Sequence, residues 1–162
     1  AETVARQVND SEEMTQRLGL TQEVIDGGRQ QQYWQVVADL PVSQDRLVYR
    51  LTVPRGAVVQ TISTIADWSK TESIPTICAD VAMGTVWLVL PAKPPALELF
   101  PRLIALAEQQ RGHAVIFTAP AGLKQAVDVW GLATPAHTLM RKIKQEFDPA
   151  ALLNPGRFVG KL

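Results

Sequence analysis

Cysteine is nearly absent from this chain: Cys78 stands alone among 162 residues, so no disulfide can form within it. A lone thiol suits a reducing, cytoplasmic compartment. Histidine is almost as scarce. His113 and His137 are the two present, and neither has a Cys or His at ligand spacing, so the inventory offers no zinc site. Net charge of either sign is missing, because 16 basic side chains balance 16 acidic ones. That removes the usual electrostatic argument for nucleic acid or an anionic membrane surface. No apolar run approaches the roughly 18 residues that a membrane span needs. The N-terminal AETVARQ has neither the basic and apolar regions of a secretory signal nor a starting Met, as expected of a trimmed segment. Glycine-rich phosphate loops and the G-x-S-x-G elbow are likewise missing, and Gly27-Gly28 is too short to replace them.

What is present is the composition of a globular fold, 46% apolar and 20% charged, in a length that fits one domain spanning 1–162. Residues 3–18 read as an amphipathic helix that Gly19 ends. A second helix runs from Thr21 or Arg29 to Asp39, with Tyr33, Trp34, Val36 and Val37 expected to face the core, and Pro41 stops it. Residues 46–53 alternate Leu47, Tyr49, Leu51 and Val53 against Arg46, Val48, Arg50 and Thr52, the period of a strand with one mixed face. Pro54 and Gly56 break it before a helix carrying Val58, Ile62 and Ile65. Strands at 76–82 and 85–90 fold back on each other through Met83-Gly84. A helix with Leu99, Leu103 and Leu106 on one stripe follows and ends at Gly112, a natural left-handed residue. HAVIFTAP is a compact strand, and 123–130 fits either a short helix or a loop. The last helix has Thr134 as N-cap, Pro135 at its first position, and Leu139, Met140, Ile143 and Phe147 along one face. Four strands interleaved with helices and one clear hairpin indicate an α+β fold. Its antiparallel sheet is covered by helices on one face, and the ferredoxin-like arrangement is one such form.

No self-contained catalytic constellation emerges. Cys78 lies in an apolar strand, where a free thiol is a small buried hydrophobe more often than a nucleophile. His113 reads as a strand-end histidine bonded to backbone in preference to a base, and His137 as an exposed residue of a first helical turn. Asp67, Asp80 and Asp128 are too scattered to pair. Trp34, Trp68, Trp87 and Trp130 fit packing better than a shared pocket.

The segment with most information is MRKIKQEFDPAALLNPGRFVGKL. Asp148 precedes a proline and so stops the helix, and Leu152 and Leu153 are expected to anchor the next turn in the core. Asn154-Pro155-Gly156 then sets the direction of exit and presents Arg157. A helix terminator with an ordered tail explains the prolines and leucines, but not the whole D-P-x-x-x-L-N-P-G-R pattern. KQEFDPAALLNPGRF resembles the closing motif of the FAD-linked oxidase C-terminal domain of vanillyl-alcohol oxidase and p-cresol methylhydroxylase type flavoproteins. Within that superfamily the chain is most similar to the glycolate oxidase E subunit, through Tyr33-Trp34, YRLTVP at 49–54, ICADVAMGTVWL at 77–88 and RGHAVIFTAP at 111–120.

The resemblance implies a cap domain whose N-terminal FAD-binding domain is absent from this sequence. It implies that Asn154, Gly156 and Arg157 lie near the flavin or the domain junction. Arg157 would face a carboxylate or a flavin oxygen with its planar fork. The implied activity is oxidation of glycolate to glyoxylate in a multi-subunit complex. FAD, the other oxidase subunits and a small 2-hydroxy-acid substrate are its implied partners. The His-x-Gly-Asp-Gly-Asn-x-x-His motif of the superfamily's catalytic caps is missing, which points to an accessory or electron-relaying subunit. A docking module without turnover, and an unrelated α+β binding domain, are the competing readings.

Overall fold

The structure, a computed structural model, describes residues 2–39, 45–68, 75–125, 127–131 and 136–161. Two compact units divide the chain, 1–39 and 40–162. Among the described residues no helix is long and apolar enough to cross a membrane.

The first unit is two helices, α1 (Glu2–Arg17) and α2 (Gly27–Asp39). Polar contacts order the link between them: the Thr15 hydroxyl meets Gln22 Oε1 at 2.7 Å, and Arg29 pairs with Glu23 at 2.6 Å. Neither helix buries a residue. The expected core face of α2 is therefore not one within this unit. Tyr33, Trp34 and Val36 are exposed, Trp34 to 59%, and Val37 is only half-buried. The reason is size, since two helices are far too short a chain to enclose a core of their own.

The second unit follows the order β1 (Arg46–Thr52), α3 (Val58–Trp68), β2 (Thr76–Asp80), β3 (Thr85–Pro91), α4 (Leu99–Gln109), β4 (His113–Thr118), α5 (Ala121–Lys124) and α6 (His137–Phe147). The four strands form one sheet in the order β2-β3-β1-β4, with every neighbouring pair antiparallel. This β-α-β-β-α-β succession with β1 and β3 central is the ferredoxin-like arrangement.

Alternation along β1 decides what lies on each side. Leu47, Tyr49 and Leu51 point into the core with Val86, Leu88 and Leu90 of β3 and Ala114 and Ile116 of β4. Val58 and Ile65 of α3 close over them, as do Phe100, Leu103 and Leu106 of α4. Tyr49 is fully buried, stacks on Phe100 at 5.5 Å and donates its hydroxyl to the Ala96 carbonyl at 2.7 Å. Burial pushes its ionisation far above the ordinary tyrosine value. Pro54, with φ −54° and ψ 141°, ends β1 in an extended turn, and residues 55–57 make one turn of 3-10 helix leading into α3.

Two glycines fix the ends of this layout. Gly84 closes the β2–β3 turn at φ +69°, and a Cβ there would collide with the Val53 carbonyl oxygen. After α4 the left-handed residue is Arg111 at φ +58°, and not Gly112 as the helix-ending pattern predicts. Gly112 is needed for a different reason, because a Cβ there would strike the Thr52 carbonyl. Of the ambiguous stretch, residues 123–124 end α5, and 127–130 turn back, with the Gly131 N–H donating to the Asp128 carbonyl at 3.2 Å and the Ile116 N–H to the Val129 carbonyl at 2.8 Å.

Gly84→Val combines a left-handed backbone with a steric collision, so we expect a loss of about 2 kcal/mol or more, read from the midpoint of chemical denaturation. Tyr49→Phe removes one buried hydroxyl bond and is expected to cost about 1 kcal/mol in the same measurement.

Candidate functional site

Helix α6 is amphipathic, with Leu139, Met140, Ile143 and Phe147 on one stripe as its sequence predicts. The expected cap Thr134 and first-turn Pro135 lie outside the described residues; Ala136 occupies the position before the helix. Asp148 ends it at φ −145° and ψ 65°. Its carboxylate then organises the tail: it accepts the Leu152 N–H at 2.8 Å and the Leu153 N–H at 2.9 Å, and is paired with the Lys144 ammonium. Lys144 also donates to the Leu153 carbonyl at 2.6 Å. Asp148 is 8% exposed, and its cover is the tail it holds, not a deep core. The Lys144 hydrogen bond, then the backbone N–H donors, hold its pKa below the usual carboxylate range.

This arrangement corrects one expectation. Leu152 and Leu153 do not anchor the turn in the core; they are 77% and 65% exposed. The tail is fixed through their N–H groups and not their side chains.

Ala151, Asn154 and Gly156 all take left-handed conformations, at φ +51°, +48° and +69°, and coil the chain back. The Arg157 N–H donates to the Asn154 carbonyl at 3.1 Å, so Asn154, Gly156 and Arg157 belong to one turn. The Trp130 indole N–H donates to the Arg157 carbonyl at 3.1 Å, and Phe158 meets the Trp130 ring edgewise at 5.9 Å. The Arg157 side chain is exposed. Asn154 borders a groove of about 410 Å³ whose apolar wall is Met140, Ile143, Phe147, Leu153 and Phe158. His137, expected to be exposed, is instead half-buried: its Nε2 is enclosed against Gly160, and its Nδ1 is 3.5 Å from Arg141.

A second constellation lies on the sheet face away from α3 and α4, and sequence reasoning missed it. Arg50, Trp87 and Cys78 stand opposite one another in register on β1, β3 and β2. The Arg50 guanidinium lies beside a pair of rings, 5.8 Å from Trp87 and 5.5 Å from Phe117, which meet each other edge to face at 4.9 Å. Its Nε is buried and has no hydrogen-bond partner. His113 shares this face beside Thr52, and its pKa is lowered by burial first and by the Arg50 charge second. No backbone bond to the His113 ring is found among the described residues. Cys78 is half-buried here, so it belongs to this face and not to the core expected of it. The signal available in the sequence was Arg50, set between Val48 and Thr52 on the mixed face of RLVYRLTV.

The three tryptophans of the larger unit do not converge. Trp34 is on α2, Trp68 lies under the Arg102 guanidinium at 4.3 Å, Trp87 is on the second face and Trp130 is at the tail. Among the described residues no three His, Cys, Asp or Glu side chains are placed to hold a metal ion. Comparison with protein-family models, with curated proteins and with solved structures finds no match to this chain.

The Asp148 bonds carry a pH dependence. Because its folded pKa is depressed, the stabilisation is present above the unfolded aspartate value of about 3.9 and is lost as pH falls through the lower folded value. We expect hydrogen-exchange protection of the Leu152 and Leu153 amides to persist near neutrality and vanish on acidification through that range. In Asp148→Ala the protection should be absent at every pH, while the β1 amides are unchanged.

Proposed function

We propose that this chain is the C-terminal cap domain of a FAD-linked oxidase, similar to the glycolate oxidase E subunit and acting as a subunit in glycolate oxidation. The observation that carries the reading is the D-P-x-x-x-L-N-P-G-R segment, coiled around Asp148 beside an apolar groove. A tail fixed by hydrogen bonds while its leucines and Phe147 face outward suits a surface that another domain completes. In this reading the other domain is an N-terminal FAD-binding half of the same protein, and Asn154, Gly156 and Arg157 lie toward the flavin. FAD supplies the redox chemistry, and the cap contributes shape and orientation. Without the catalytic histidine motif, the subunit acts in support of a partner that oxidises the 2-hydroxy acid. A cytoplasmic setting agrees with its single thiol.

A docking module without turnover is the second reading. It draws on α2, where Tyr33, Trp34 and Val36 are exposed.

The coding sequence immediately upstream provides the first test: a Gly-rich FAD-binding half supports the cap reading, and an unrelated domain overturns it. In the full-length protein, Arg157→Ala is expected to weaken flavin retention several-fold with the melting temperature unchanged, consistent with the loss of one charge-assisted contact. A large fall in melting temperature with flavin retained would make Arg157 structural instead. Bound flavin with glycolate-dependent dye reduction only after a partner subunit is added would favour the docking reading.

A further inference from the structure

We propose that the outer edge of β2 pairs with the β2 of a second copy of this chain, antiparallel and about a twofold axis at Cys78. The inference does not use the oxidase reading, which rests on the tail.

The strand order β2-β3-β1-β4 leaves the sheet two edges. The β4 edge is partly occupied, because the Ile116 N–H donates to the Val129 carbonyl. Strand β2 pairs with β3 on its inner side, and among the described residues no backbone group meets its outer side. Such an edge presents a row of N–H and C=O groups that another extended strand satisfies. The devices that blunt an edge are mostly missing from Thr76–Asp80: it holds no proline, no lysine and no bulge, and Asp80 is its one charge.

The pattern of the strand itself selects a second copy. Centred on Cys78, antiparallel pairing sets Thr76 opposite the partner's Asp80, Ile77 opposite the partner's Ala79, and Cys78 opposite the partner's Cys78, so the whole strand is used. A centre at Ile77 or Ala79 shortens the overlap, and a centre at Asp80 sets two like charges face to face. The faces match as well. Ile77 and Ala79 pack toward the core, so their cross-strand pair is apolar on apolar, while a threonine hydroxyl meets a carboxylate on the other side. Beyond the strand, the exposed Val81 comes opposite the partner's Pro75. Twofold pairing of this kind closes at two copies and joins two four-stranded sheets into one.

The cysteine provides the readout. Residues directly opposite on antiparallel strands have Cα atoms about 4.5–5.5 Å apart, a separation that a disulfide spans. Because Cys78 is the only cysteine, any disulfide joins two chains.

Light scattering on the full chain in reducing buffer is expected to show a monomer–dimer equilibrium. Amides of 76–80 should gain hydrogen-exchange protection as concentration rises, while those of β4 do not. Diamide, which takes up the two thiol hydrogens and leaves one S–S bond, should lock the dimer; Cys78→Ser should dimerise without being locked. Thr76→Asp, at an exposed position, opposes two carboxylates at both ends of the pairing and should weaken dimerisation by about tenfold. Thr76→Lys meets the same carboxylate with the opposite charge and should strengthen it severalfold. A monomer at every concentration, protection of 76–80 that ignores concentration, or equal dimerisation by the two Thr76 variants would overturn the proposal.

Discussion

Everything in the larger unit hangs on the two-residue alternation of β1. This strand is central, pairs antiparallel with β3 and β4, and has one apolar face and one face that mixes buried valine with Arg50. One step brings Leu47, Tyr49 and Leu51 against α3 and α4; the other brings the buried Val48 and, beside the touching rings of Trp87 and Phe117, Arg50. A slip of one residue would drive the guanidinium into the core and Tyr49 onto the surface, at a cost no neighbouring contact offsets. Register is thus protected by the penalty of burying a charge as much as by apolar packing.

The tail is organised by a different force. Asp148 gathers two backbone N–H donors and the Lys144 ammonium where the α6 helix ends. One short carboxylate replaces the apolar anchor that a pair of adjacent leucines leads one to expect. The consequence is a turn ordered without a core of its own, so Leu152 is left facing outward, and Leu153 and Phe147 are left exposed at the groove. Such a surface is stable only because its backbone groups are satisfied locally, and it leaves apolar area available to a partner.

The two proposed roles use different parts of the unit. The tail offers an apolar surface and the exposed Arg157; the edge strand β2 offers its outer row of backbone groups. In the ferredoxin-like arrangement α3 and α4 cover one face of the sheet, while the other buries Val48, Val89 and Val115 and carries Arg50 beside Trp87 and Phe117. Fold alone would not name either role, so the argument for each rests on its own residues.

The sequence by itself determined the strand and helix order, the alternation of RLVYRLTV, the turn at Gly84 and the stop at Asp148, all of them products of local backbone chemistry. Periodicity and proline or glycine placement report on contacts within a few residues. It could not show that α2 buries none of its apolar side chains, because burial depends on what lies opposite a helix and not on its own pattern. Nor could it show Arg111 taking the left-handed position beside Gly112, since the demand on Gly112 comes from the Thr52 carbonyl, far away in the chain. The same holds for the Arg50 cluster. Its members come from β1, β3 and β4, and only the pairing of those strands sets two rings and an imidazole beside one cation.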